Sequence, residues 1–160
     1  MAAIQLPLNA SSPTVVPFKA RDPQLDQATE PLNDSVPLRV LDFGAGKGRI
    51  GQEILRNPDT ASLIYYQPLE ICSDFQADLR KLSSDLQLLS EIEPEIEREV
   101  LDSHEKLKES QYKNFFDRIL LVNVLHEISP SKWVTILNVL LDSLSKDGKL
   151  LILEDQAFPV

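Results

Sequence analysis

A chain of 160 residues with 42% hydrophobic content has the material for one packed core, which excludes wholesale disorder. Sixteen Lys and Arg oppose 25 Asp and Glu, and a formal charge of −9 repels a phosphate backbone, so no direct nucleic-acid binding is expected. The single cysteine, Cys72, excludes an intrachain disulfide and a cysteine zinc site. No apolar run is longer than Ile119–Val122, and a soluble cytoplasmic protein with no metal, no membrane span and no secretory signal is expected.

Six of the eleven prolines (Pro7, Pro13, Pro17, Pro23, Pro31 and Pro37) fall in the first 37 residues. Each removes a backbone donor and restrains its predecessor, so residues 1–36 read as a proline-rich, largely irregular arm. Ile4, Leu6, Leu8, Val15, Val16 and Phe18 give it apolar content, and two readings stand: a disordered leader, or an arm over a binding site. Residues 37–160 read as the folded domain.

Leu38–Phe43 is short and mostly apolar, the pattern of a buried strand. Four of the five glycines (Gly44, Gly46, Gly48 and Gly51) follow within eight residues, which marks a backbone requirement there. Arg49–Arg56 has helical spacing until Pro58 and Asp59 break it. Leu63–Tyr66 suits a second strand, and Ser73–Leu89 carries Phe75, Leu79, Leu82, Leu86 and Leu89 along one helical face. Residues 91–109 are ambiguous: Ile96, Val100 and Leu107 fit a helical stripe, whereas Arg98–Leu101 fits a short strand ending at Asp102. Arg118–Leu125 reads as a buried strand. Ser129 and Pro130 then open a helix with Trp133, Ile136, Leu137, Leu140, Leu141 and Leu144 at steps of three and four. Lys146 and Gly148 suit its C-terminal end, and Lys149–Leu153 is a last strand. Alternating strands and helices predict an α/β fold, a three-layer sandwich around a mostly parallel sheet.

The segment Val-Leu-Asp-Phe-Gly-Ala-Gly-Lys-Gly at Val40–Gly48 joins the first strand to a helix. Missing Cβ atoms admit a ligand to the backbone, and the helix start offers unpaired N–H groups at the carboxyl end of the strands. Glu70 lies 22 residues after Gly48, at the end of the second strand, where a carboxylate can accept from both hydroxyls of a ribose. Gly46-Lys-Gly48-Arg-Ile-Gly51 also satisfies G-x-G-x-x-G, so an NAD(P)-dependent oxidoreductase is the chemical rival. A P-loop is excluded, because Lys47 is followed by glycine.

With Glu70 and with Phe-Asp-Arg-Ile-Leu-Leu-Val-Asn-Val-Leu-His-Glu-Ile at Phe116–Ile128, this loop resembles the class I S-adenosylmethionine-dependent methyltransferases, whose fold is Rossmann-like. Leu141–Glu154 looks like that family's entry to its fifth strand, and the resemblance covers about Pro37 to Glu154. It implies S-adenosylmethionine as cofactor, with Gly44, Gly46 and Gly48 around its methionine part and Asp42 shaping or contacting the loop. By the same resemblance Glu70 would hold the ribose, Asp102 would sit near the adenine if the third strand exists, and Asn123 would face the methyl-transfer site. Asn123 and His126 are the candidate catalytic residues, His126 as a general base; structural packing of His126 is the competing reading. The segment lacks the paired prolines of amino-directed nucleic-acid methyltransferases.

The family continues with two further strands, so the resemblance implies a truncated domain, incomplete at its C-terminal edge, with a homodimer or partner chain covering the open sheet edge. The reading is thus a methyltransferase core acting on an unidentified acceptor. The alternative is an inactive cofactor-sensing or protein-interaction module.

Overall fold

Leu38-Arg-Val-Leu-Asp-Phe43 puts apolar side chains on both faces, and it forms β1 (Leu38–Phe43) at the centre of a sheet covered from both sides. The computed structural model describes residues 23–33, 35–92, 96 and 99–154. Beside β1 run β2 (Ile64–Leu69), β3 (Phe116–Val122) and β4 (Leu144–Leu153), in the order β2-β1-β3-β4, with every neighbouring pair parallel. Such pairing demands crossovers, and helices supply them.

Period-two alternation divides the strand residues between two cores. Leu41, Phe43, Tyr65, Ile119 and Leu121 meet Ile136, Val139 and Leu140 of helix α5 (Pro130–Ser143). On the other face, Val40, Tyr66 and Leu120 meet Ile50 and Ile54 of α2 (Arg49–Leu55). They also meet Leu79, Leu82 and Leu86 of α4 (Gln76–Leu89). The result is the expected three-layer, Rossmann-like α/β sandwich. Each fully buried Leu or Ile contributes about 2 kcal/mol through the area it removes from water.

Several local expectations need revision. Residues 23–33 are not irregular: Pro23 opens α1 (Pro23–Thr29), a 3-10 turn Glu30–Leu32 follows, and Leu25, Ala28 and Leu32 are buried in the second core. Proline is tolerated in a helix's first turn, so prolines at Pro23 and Pro31 mark starts here rather than disorder. Residues 1–22, which hold the rest of the expected arm, lie outside the described residues. Pro58 likewise starts a short helix, α3 (Pro58–Ser62), because Asn57 caps it by accepting the Thr60 N–H at 3.3 Å. Ser129 stands at the N-cap of α5 without a side-chain capping bond, and α5 ends at Ser143, before Lys146 and Gly148. Those two residues belong to an irregular stretch of β4, where the register shifts between the Phe116 and Arg118 pairings. A side chain at Gly148 would strike the Phe116 carbonyl.

Among the described residues, the expected third strand is one parallel bridge, Leu69 to Leu101. Leu101 N–H donates to the Pro68 carbonyl (3.0 Å), and Glu70 N–H donates to the Leu101 carbonyl (2.8 Å). The buried Gln67 amide extends this tether by donating to the Glu99 carbonyl, while accepting from the Tyr65 hydroxyl at 3.0 Å. Among the described residues of this segment, the helical reading survives as a 3-10 turn at His104–Lys108. β4 is the opposite edge, and among the described residues no strand pairs beyond it. No described helix is long and apolar enough to cross a membrane.

Candidate cofactor and active site

At the carboxyl end of β1 the chain enters the loop through three left-handed glycines, Gly44 (φ +74°), Gly46 (φ +55°) and Gly48 (φ +77°). The Gly44 and Ala45 N–H groups both donate to the Leu69 carbonyl, at 2.9 and 3.0 Å, which fixes the loop to the end of β2. A Cβ at Gly46 would meet nothing within 4 Å: here bare backbone faces open space. Glu70 stands over that opening, only 8% exposed. Its Oε2 accepts the Gly46 N–H at 2.7 Å and its Oε1 the Cys72 N–H at 2.8 Å. Each carboxylate oxygen has a second lone pair, so the pair of oxygens is held in place and still able to accept from two adjacent hydroxyls. An open glycine backbone beside such a carboxylate fits an adenosine-bearing cofactor.

The remaining predicted cofactor residues divide. Asp102 follows the Leu101 bridge onto the same rim as Glu70, its carboxylate 62% exposed and 3.4 Å from the Lys106 ammonium. Asp42 does not reach the rim. It is 3% exposed and accepts the Tyr66 hydroxyl at 2.6 Å, so it shapes the loop from below. Burial pushes its carboxyl up to about 7; the Tyr66 hydroxyl opposes the rise and the Glu70 charge adds to it.

β3 ends at the other half of the site. Asn123 takes a left-handed φ of +58°, its N–H donating to the Leu153 carbonyl (2.8 Å) and its Nδ2 to Gln24 Oε1 of α1 (2.8 Å). The turn Leu125–Glu127 then carries His126, whose Nδ1 lies 2.6 Å from Glu154 Oε2. Glu154 stands just after β4, its side chain 5% exposed, and its Oε1 also accepts the Val124 and Leu125 N–H groups at 2.9 and 2.7 Å. A carboxylate only accepts, so Nδ1 donates to Glu154, and in the neutral imidazole this leaves the lone pair on Nε2. This is a histidine oriented by a buried carboxylate, the arrangement of a general base. Beside it, burial raises the pKa of Glu127, with the Glu70 and Glu154 charges adding and His126 opposing.

His126, Asn123, Glu70 and the glycines, expected at one end of the sheet, follow the carboxyl ends of the neighbouring parallel strands β3, β2 and β1. Sequence reasoning missed Glu154, Gln24 and Tyr66. Glu154 had a signal: like Glu70, it is an acid at the carboxyl end of a strand in a doubly wound sheet. Gln24 and Tyr66 had none.

No known family profile matches the chain. A probable polyketide synthase of Dictyostelium discoideum is 28% identical over 157 residues, which cover 91% of this chain and 6% of that protein. Among solved structures, coclaurine N-methyltransferase bound to N-methylheliamine and S-adenosylhomocysteine superposes with a TM-score of 0.60. It is 19% identical, and the match covers 81% of this chain and 33% of that one. The CurJ carbon methyltransferase gives a TM-score of 0.56 at 24% identity, over 82% of this chain and 33% of its own. The chain thus spans a third of each of these structures and a small part of the polyketide synthase. Its fold is the Rossmann-like fold of S-adenosylmethionine-dependent methyltransferases.

Proposed function

We propose that the chain is the core of an S-adenosylmethionine-dependent methyltransferase that methylates carbon, on an acceptor of the β-ketoacyl thioester class. The observation that carries this reading is the His126–Glu154 pair, 2.6 Å apart at the end of the sheet that holds the glycine loop. Bound S-adenosylmethionine supplies an electrophilic methyl group on a sulfonium. Gly46 and Glu70 would hold its adenosine and methionine parts, with Asp102 on the same rim. An oxygen, nitrogen or sulfur acceptor often needs little help, whereas a carbon between two carbonyls must lose a proton to become nucleophilic. His126 takes that proton at Nε2, and the Glu154 carboxylate stabilises the imidazolium that results. The likeness to a carbon methyltransferase and to a polyketide synthase supports the same acceptor class.

The test is methyl transfer from S-adenosylmethionine to an acetoacetyl thioester, with the product's methyl position read by NMR. His126→Ala and Glu154→Gln are each expected to lower kcat by roughly 100-fold or more. The Kd for S-adenosylhomocysteine should stay near the parent value in both. Transfer at the parent rate by His126→Ala, or methylation of a heteroatom only, would sink the carbon-acid assignment.

A further inference from the structure

The helix that follows the glycine loop begins without the usual cap. Its N-cap residue is Gly48, which has no side chain to accept the first-turn N–H groups. A side chain of the neighbouring strand packs against that first turn. The Tyr66 side chain is wholly buried between β1 and α2, and its hydroxyl donates to Asp42 Oδ2 at 2.6 Å. The Tyr66 ring lies against Gly51, in the first turn of α2. Tyr66 can come this close only because residue 51 has no Cβ: one built there would lie 2.9 Å from Tyr66 Cζ and 3.0 Å from Cε1. Tyr66 therefore joins Asp42, the last residue but one of β1, through its hydroxyl to Gly51, the third residue of α2, through its ring.

We propose that Tyr66 is the positioning residue of the glycine loop, its hydroxyl holding Asp42 while its ring packs on the first turn of α2, a clamp that keeps Gly44–Gly48 in the open cradle geometry. The assignment deepens the cofactor reading above and rests on it for its functional consequence. It assigns Gly51 a role too: the glycine makes room for the clamp rather than for a ligand. Asp42 is thereby a partner of the clamp, which explains why the acid before the loop is buried instead of exposed at the rim.

Tyr66→Phe keeps the ring against Gly51 and removes only the hydroxyl, so a packing role predicts no change. The clamp predicts amide hydrogen exchange roughly tenfold faster at Gly44–Gly51, with β3 and α5 unaffected, and a Kd for S-adenosylhomocysteine roughly tenfold weaker. Parent-like exchange at the loop, or acceleration spread evenly over the chain, overturns the proposal. A second comparison holds if Tyr66→Phe fails to fold. Asp42→Asn keeps an oxygen for the hydroxyl and Asp42→Ala does not, so the loop amides are expected to be better protected in the former. Equal protection in the two overturns the clamp. The two readings fail separately. Absence of S-adenosylhomocysteine binding by a chain whose loop protection depends on the hydroxyl sinks the cofactor reading and leaves the clamp; tight binding with hydroxyl-independent exchange does the reverse.

Discussion

Gly46 and Gly48 look alike in sequence and differ in surroundings. Both have positive φ, but a Cβ at Gly46 enters open space whereas one at Gly48 runs into Leu82 of α4. Gly46→Ala should therefore cost only backbone strain, about 1 kcal/mol, yet obstruct the cradle. S-adenosylhomocysteine binding by calorimetry is expected to weaken at least tenfold while the melting temperature falls by a few degrees at most. Gly48→Ala adds a core clash and should lose clearly more stability. Asp42 gives a prediction in pH. Its carboxyl rises from 3.8 to about 7 on folding, so the native state holds the proton more tightly than the unfolded chain. The stability this contributes is complete below about pH 3.8 and is lost as pH climbs through about 7, a swing on the order of 4 kcal/mol. Urea midpoints of the parent and Asp42→Asn, compared at several pH values between those limits, should show the variant gaining steadily on the parent as pH rises. A constant difference would mean that Asp42 titrates alike in both states.

At the level of elements, one side chain reinforces the backbone bonds of the Leu101 bridge. Gln67→Met keeps the volume but strips the Tyr65 hydroxyl of its acceptor and the Glu99 carbonyl of its donor, an expected loss of about 2 kcal/mol. Amide exchange should accelerate at Leu101 and Glu70 and stay slow in β1; uniform exchange throughout would contradict a local tether. The same segment shows why some elements were legible and others were not. β1, the glycine loop, α2 and β3 announce themselves through local pattern: apolar runs meeting glycine or a helical stripe. The Leu101 bridge is a single long-range pairing with no periodicity of its own. α1 was hidden by prolines that mark irregular chain in one context and a helix start in another. The end of α5 was misplaced because Lys146 and Gly148 imitate a helix terminus while serving a bulge in β4. At the site, Glu70 and His126 were legible from strand-end placement. The Tyr66 hydroxyl was not, since a tyrosine within a strand reads as core, and here it is core and clamp together.

Over the whole molecule the site is divided between the two halves of the sheet. The cradle hangs on β1 and β2, which are paired along their full length, whereas His126 is held by Glu154 at the end of β4. β4 is an edge strand, tied to the sheet on one side only among the described residues, and Ile152 near its end is 41% exposed. Edge strands open at lower free energy than central ones. The proposed chemistry therefore depends on one of the more weakly tied elements of the sheet, and warming should separate two events that a single melting curve would merge. Fraying of the last turns of β4 releases Glu154 from His126, while β1, β2 and the loop remain folded and able to bind. The protein is expected to be inactivated reversibly several degrees below the midpoint of its circular-dichroism melt, with S-adenosylhomocysteine binding persisting through that interval. Coincident loss of turnover, binding and ellipticity would show instead that the edge melts only with the whole.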